Sequence, residues 1–221
     1  MTQADTDLLA RCAKIGSSTW SDALDVCGIA GVVEGITRRS GDERMVGFAV
    51  TARQVKGDLG QYDRADFAVG KLVAACGPGK VLMVDVGGAP ISTFGGIAST
   101  AAKLQGATGV IIDGACRDVD EIREVGLWMA SRWVSPRTGK TRLQLQELGQ
   151  PITIGSVPVK QGDLVVGDDT GIVVIPRAEL ERVLAEAERI LAVDVAVEKG
   201  VKEGKTFAQA AAAANYIPEK S

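Results

Sequence analysis

The chain has no histidine among its 221 residues. That absence removes Ser-His-Asp and Cys-His nucleophilic schemes and the commonest zinc ligand, so chemistry here must use carboxylates, Arg, Lys, Cys, Tyr or a bound metal. Aromatic residues are scarce, at 4%, and a chain so poor in rings offers no platform on which nucleobases stack. Positive charge is not in excess either, the formal net charge being -3. The sequence therefore predicts no nucleic-acid partner, and an acidic small substrate would need a local positive site. Cys12, Cys27, Cys76 and Cys116 lack the paired C-x-x-C spacing of a zinc site and read as reduced thiols. No cationic segment followed by an apolar one opens the chain, and its apolar runs are too short to cross a bilayer. A cytoplasmic protein with no membrane association is the expectation.

What is abundant is glycine, with 27 residues, and apolar side chains, at 46%. Together they predict an α/β chain with tight turns and a full core, and the length predicts one domain over 1–221. Helical patterns run from Asp7 to Ala13, from Thr19 to Val26 and from Asp66 to Ala75. Alternation predicts a strand at Gly47 to Arg53, and an apolar run predicts another at Val81 to Val86. Phe94-Gly95-Gly96-Ile97-Ala98-Ser99 opens an alanine-rich helix that Gly106 ends, giving a βαβ unit. The Gly-Gly pair leaves amides at a helix start open to a carboxylate or phosphate, and equally suits a tight turn with close packing. Ser135 to Arg142 reads as a polar, basic, mobile loop, and Gly162 to Pro176 as a hairpin turning at Asp168-Asp169-Thr170-Gly171. A C-terminal helical tail covers about 177–221, its long helix expected from Arg177 to about Glu198 with apolar residues at helical spacing from Leu180 to Val195.

The most informative stretch is Gly109-Val-Ile-Ile-Asp113-Gly114-Ala-Cys-Arg117-Asp118. Val110, Ile111 and Ile112 read as a buried strand, Gly114 as a sharp turn, and Asp118 as the start of a helix through Ile122 and Val125. Strand ends of this kind face the ligand crevice of open α/β sheets, where a carboxylate suits a divalent cation and a guanidinium an oxyanion. The same residues also permit a plainer reading, with Asp118 as an N-cap, Glu121 as the acid three residues on, and Arg117 at the surface.

Ser21-Asp-Ala-Leu-Asp25, Gly47-Phe-Ala-Val-Thr51, Pro78-Gly79 through Gly88, the Asp113-Gly-x-x-Arg117-Asp118 cluster, and Gly162-Asp163 through Pro176 occur in order. With this set the chain resembles the RraA-like family, which includes 4-hydroxy-4-methyl-2-oxoglutarate aldolases. The resemblance implies a single β/β/α swivelling domain, a homotrimer or homohexamer with sites between subunits, and Mg²⁺ or Mn²⁺ as cofactor. It implies a lyase that cleaves a 4-hydroxy-2-oxo diacid to pyruvate, with oxaloacetate decarboxylation as a further activity. By position, Arg117 would bind the keto acid and Asp118 would hold the metal. Gly95, Gly96, Ile97 and Ala98 would bind the substrate carboxylate, and Asp194 of an adjacent subunit would join the metal shell. One departure stands out. Many aldolases of the family carry Asp or Glu where this chain has Gly96, and Asp85 or Asp113 would compensate only if the fold brings one of them close.

The alternative implied by the same resemblance is a non-catalytic regulator of RraA type that binds a ribonuclease or another protein. Asp118 after Arg117 favours the lyase. A Schiff base on Lys80 or Lys103 ranks below the metal route, since such lysines are usually solvated. A methyltransferase would need a strand followed by Gly-x-Gly-x-x-Gly and an acidic ribose ligand, and no such constellation is present.

Overall fold

The structure, a computed structural model, describes residues 2–216. In chain order the helices and strands are α1 (Gln3–Cys12), α2 (Ser17–Val26), β1 (Val32–Val33), β2 (Thr37–Ser40), β3 (Met45–Lys56), α3 (Val69–Ala75), β4 (Lys80–Asp85), β5 (Ser92–Phe94), α4 (Gly96–Leu104), β6 (Gly109–Cys116), α5 (Val119–Val125), β7 (Met129–Val134), β8 (Leu143–Leu148), β9 (Ile152–Ile154), β10 (Val157–Val159), β11 (Leu164–Gly167), β12 (Ile172–Ile175), α6 (Leu180–Lys202) and α7 (Phe207–Ala213). Residues 217–221 of the expected C-terminal tail lie outside the described residues.

A mixed sheet runs β1-β12-β11-β3-β4-β6-β7-β2, with β5 added beside β6 and β8 beside β3. Its two ends, β1 and β2, are joined by only three residues, 34–36. Since a chain spans at most about 3.6 Å per residue, the sheet must curl until its edges approach. Strands β3, β4, β6 and β7 are parallel, and α4 and α5 form the crossovers on either side of β6.

Alternation along buried strands sends neighbouring side chains to opposite faces. Leu82, Val84, Val110 and Ile112 face a core shared with Leu72 of α3, Ala102 of α4 and Ile122 of α5. Val81, Met83 and Ile111 face the other way, against Ile152, Ile154, Val157 and Val159 of the β9–β10 hairpin. The layers are thus hairpin, sheet and helices, the expected β/β/α arrangement. A third cluster joins Trp20 and Leu24 of α2 to Val183, Leu184 and Ala187 of α6 over β11 and β12.

Four local expectations change. The helix expected over Asp66 to Ala75 begins as a 3-10 turn at Arg64–Phe67, and the α-helix starts only after Ala68 turns left-handed. The strand expected to stop near Ile112 continues through Asp113 and Gly114 to Cys116. Gly114 is there for close packing, because a Cβ on it would lie 2.8 Å from Val86 Cβ. The loop over Ser135 to Arg142 is stitched in place: Ser135 N–H donates to Cys116 C=O at 3.0 Å, and Ser92 N–H donates to Arg137 C=O at 2.9 Å. Finally, the last long helix extends to Lys202. The hairpin at Gly162 to Pro176 forms as β11 and β12, with Asp168 to Gly171 in the turn.

Candidate active site

Strand β5 pairs in parallel with β6, so α4 and the segment leading into α5 start side by side at the carboxyl ends of neighbouring strands. Only Arg117 and Asp118 separate β6 from α5, and so short a link needs an abrupt change of direction. Asp118 supplies it with a left-handed backbone, φ 54°. Aspartate tolerates this conformation better than most residues, at a cost of about 1 kcal/mol or more. Arg117 N–H is fixed on Phe94 C=O at 3.0 Å, tying the cluster to β5.

The side chain of Asp118 does not cap its own helix. Its Oδ2 instead accepts from Gly96 N–H at 3.2 Å and lies 3.5 Å from Arg117 Nε. Asp118 is thus the N-cap of α5 by position, its C=O accepting from Ile122 N–H at 3.0 Å, while its carboxylate serves the start of α4. Among the described residues, Oδ1 receives no protein donor. Both Arg117 and Asp118 are part-exposed, 38% and 36% at the side chain. A hard oxygen donor at the edge of water fits Mg²⁺ or Mn²⁺, because Mg²⁺ keeps several waters and needs only one or two carboxylates. Among the described residues no group of three or more Cys, Asp or Glu side chains is placed to hold a metal.

The glycine pair makes this arrangement possible. A Cβ on Gly95 would fall 2.3 Å from Asp118 Oδ2 and 3.1 Å from Arg117 Nε, and one on Gly96 would overlap the Glu121 carboxyl group. Of the four residues expected to bind a carboxylate, Gly95 is the N-cap and Gly96 already donates to Asp118. The first intrahelical bond of α4 runs from Ser99 N–H to Gly95 C=O at 3.0 Å, so the amides of Ile97 and Ala98 precede it and carry the positive end of the helix dipole. The Ile97 side chain stands 89% exposed beside them.

Other acids and amines named from sequence are engaged elsewhere. Asp85 pairs with Arg53 at 3.3 Å and accepts from Gly87 N–H at 2.8 Å. Asp113, buried inside β6, accepts from Arg132 Nε at 2.5 Å and from Gly155 N–H at 2.7 Å. Neither replaces an acid at position 96. Asp194 lies on α6, which packs on α2 and α7, and is not brought to Arg117 and Asp118 within one chain. Burial and the nearby charge of Asp22 raise its carboxyl above the usual range. Lys103 Nζ donates to Gly126 C=O at 2.8 Å and Lys80 is exposed, so neither sits in an enclosed amine site. Glu121 was visible in sequence only as a capping acid. The signal that could have placed it was Gly96, a helix-start residue with room for a neighbour's carboxylate.

Comparison with known proteins places the chain in a family. The RraA-like family model, described as Aldolase/RraA, matches residues 17–174. A relative from Halalkalibacterium halodurans, provisionally named a 4-hydroxy-4-methyl-2-oxoglutarate aldolase, is 30% identical over 92% of this chain and 92% of its own. An uncharacterized protein from Pseudomonas syringae superposes with a TM-score of 0.82 at 26% identity, covering 93% of this chain and 96% of that one. A Streptomyces coelicolor member of the RNase ES inhibitor RraA protein family shares the fold, with a TM-score of 0.74 at 24% identity over 90% of this chain and 96% of that one. The family match spans the glycine pair, Arg117 and Asp118, which the fold gathers at one point, and the chain belongs to the RraA-like family.

Proposed function

We propose that this chain is a divalent-cation-dependent carbon-carbon lyase that cleaves a 4-hydroxy-2-oxo diacid to pyruvate and also decarboxylates oxaloacetate. The observation that carries this reading is Arg117 beside Asp118 at the amino end of α4, a guanidinium and a part-exposed carboxylate next to the first-turn amides of the helix. The aldolase name borne by the Halalkalibacterium halodurans relative supports it.

Asp118 would hold Mg²⁺ or Mn²⁺, with Asp194 of an adjacent subunit completing the shell in a homotrimer or homohexamer. The cation would supply the Lewis acid that stabilises the enolate left when the carbon-carbon bond breaks. Arg117 places a fixed positive charge against the keto acid, aligned before the reaction begins. The amides of Ile97 and Ala98 orient the substrate carboxylate along the helix axis. Arg117 and Asp118 are the catalytic pair in this reading.

The test is pyruvate release from 4-hydroxy-4-methyl-2-oxoglutarate and from oxaloacetate, with Mg²⁺, with Mn²⁺ and after chelation. Cation-dependent turnover that is lost in Asp118→Ala is the expected result. Turnover that survives chelation or Asp118→Ala would sink the assignment. The second reading, a regulator of RraA type that binds a ribonuclease, rests on the likeness of fold to the Streptomyces coelicolor protein. An acid directly after Arg117 favours the lyase.

A further inference from the structure

We propose that Glu121 is the general base of this site, a role that rests on the lyase reading above. Gly96 lacks a side chain, and the space where its Cβ would stand is filled by the Glu121 carboxyl group, with Glu121 Cβ 2.9 Å from that point. The neighbouring position over Gly95 is filled by Asp118 Oδ2 and the Arg117 side chain. Two adjacent glycines thus admit two carboxylates from the start of α5 to the amino end of α4. Their duties differ, because Asp118 is held by Gly96 N–H and Arg117, whereas among the described residues Glu121 makes no ion pair. An unpaired, exposed carboxylate beside the first-turn amides of α4 is placed to move a proton of a substrate held there. The Glu121 carboxyl thus stands where a side chain at position 96 would begin.

In the aldol reaction Glu121 takes the proton of the substrate's C4 hydroxyl. The O–H pair becomes the C4=O π bond as the C3–C4 bond breaks, and its electrons pass to the enolate of pyruvate. Glu121 then gives its proton to water, and the enolate carbon takes one from water. Oxaloacetate has no C4 hydroxyl, so its decarboxylation does not use this step.

The experiment compares kcat for aldol cleavage with kcat for oxaloacetate decarboxylation in the wild type, in Glu121→Gln and in Gly96→Ala. The first variant removes the base while keeping its shape. The second drives the carboxylate out of its space while keeping its charge. The expected result is a fall of about 100-fold or more in the ratio of the two activities in both variants, the scale of a lost general base. A ratio within about threefold of the wild type in either variant overturns the role of Glu121 while leaving the lyase reading intact. A wild-type protein that turns over neither compound overturns both. Equal loss of both activities would also overturn it, because a base for the C4 hydroxyl is not needed for decarboxylation.

Discussion

At Asp118, backbone and side chain depend on each other. The left-handed turn points the carboxylate toward Gly96 and Arg117, so the same residue both bends the chain and forms the site. Asparagine tolerates this backbone nearly as well as aspartate, whereas alanine does not. We therefore expect Asp118→Asn to keep its unfolding free energy within about 0.5 kcal/mol of the wild type. Asp118→Ala should lose about 1 kcal/mol more than the asparagine variant, a difference that urea denaturation would resolve. Both should lose cation-dependent pyruvate release, and an asparagine variant that retained it would remove the carboxylate from the mechanism. The sequence made Arg117 and Asp118 visible because an arginine and an acid follow an apolar strand. It hid the direction of the acid, since Asp118 and Glu121 have the spacing of an ordinary capping box. Only the fold, by bringing the side-chain-free start of α4 alongside, gives both acids another place to go.

Elements here borrow their termini from one another. Gly16 at the start of α2 has no side chain with which to cap it, and Asp168 from the β11–β12 turn supplies the acceptor, taking Ser17 N–H at 2.9 Å and Ser17 Oγ–H at 2.6 Å. Burial alone would raise the Asp168 carboxyl, but hydrogen bonds from Ser17, Thr170 and Gly171 outweigh it and hold the group below the usual carboxylate range. A depressed carboxyl stabilises the fold above the unfolded value of about 3.9. That contribution is lost as the pH falls through the lower folded value. Asp168→Ala should therefore cost about 1–2 kcal/mol at neutral pH, the range for a lost cap. Asp168→Asn should flatten the acid limb of thermal stability below about pH 4, and an unchanged limb would assign acid sensitivity to other groups. The acids of this turn were legible as turn formers, but their reach to α2 was not, because 151 residues separate Asp168 from Ser17. Gly114 misled for a related reason. A glycine that allows Val86 to approach looks in sequence like a glycine that turns the chain. Gly114→Ala should cost about 1–3 kcal/mol through overpacking, measured as a lower denaturation midpoint with an unchanged slope.

Across the whole molecule, the three layers are joined by polar ties as well as apolar cores. Asp113 in the sheet bonds both Arg132 of β7 and the Gly155 amide at the turn between β9 and β10, fastening the hairpin layer to the sheet. Asp113→Ala would leave the Arg132 charge and that amide without this partner, and a loss of about 2–4 kcal/mol is expected by urea unfolding. A loss below about 0.5 kcal/mol would show that the hairpin is held by its apolar face alone. The layer order was accessible from sequence through the family resemblance and through the apolar strands around Val81 and Val110. The closure of the sheet was not. Strands of two and four residues, β1 and β2, carry too little pattern to announce themselves, although they define both ends of the sheet. That short segment acts as a clasp, since one piece of chain guards both borders with strands too brief to template another. A second molecule cannot readily add a strand at β1 or β2, the two ends of the main strand path. Helices and loops offer the other surfaces, among them the exposed Ile97 at the amino end of α4, so a surface open to association and the surface that carries the proposed chemistry are continuous.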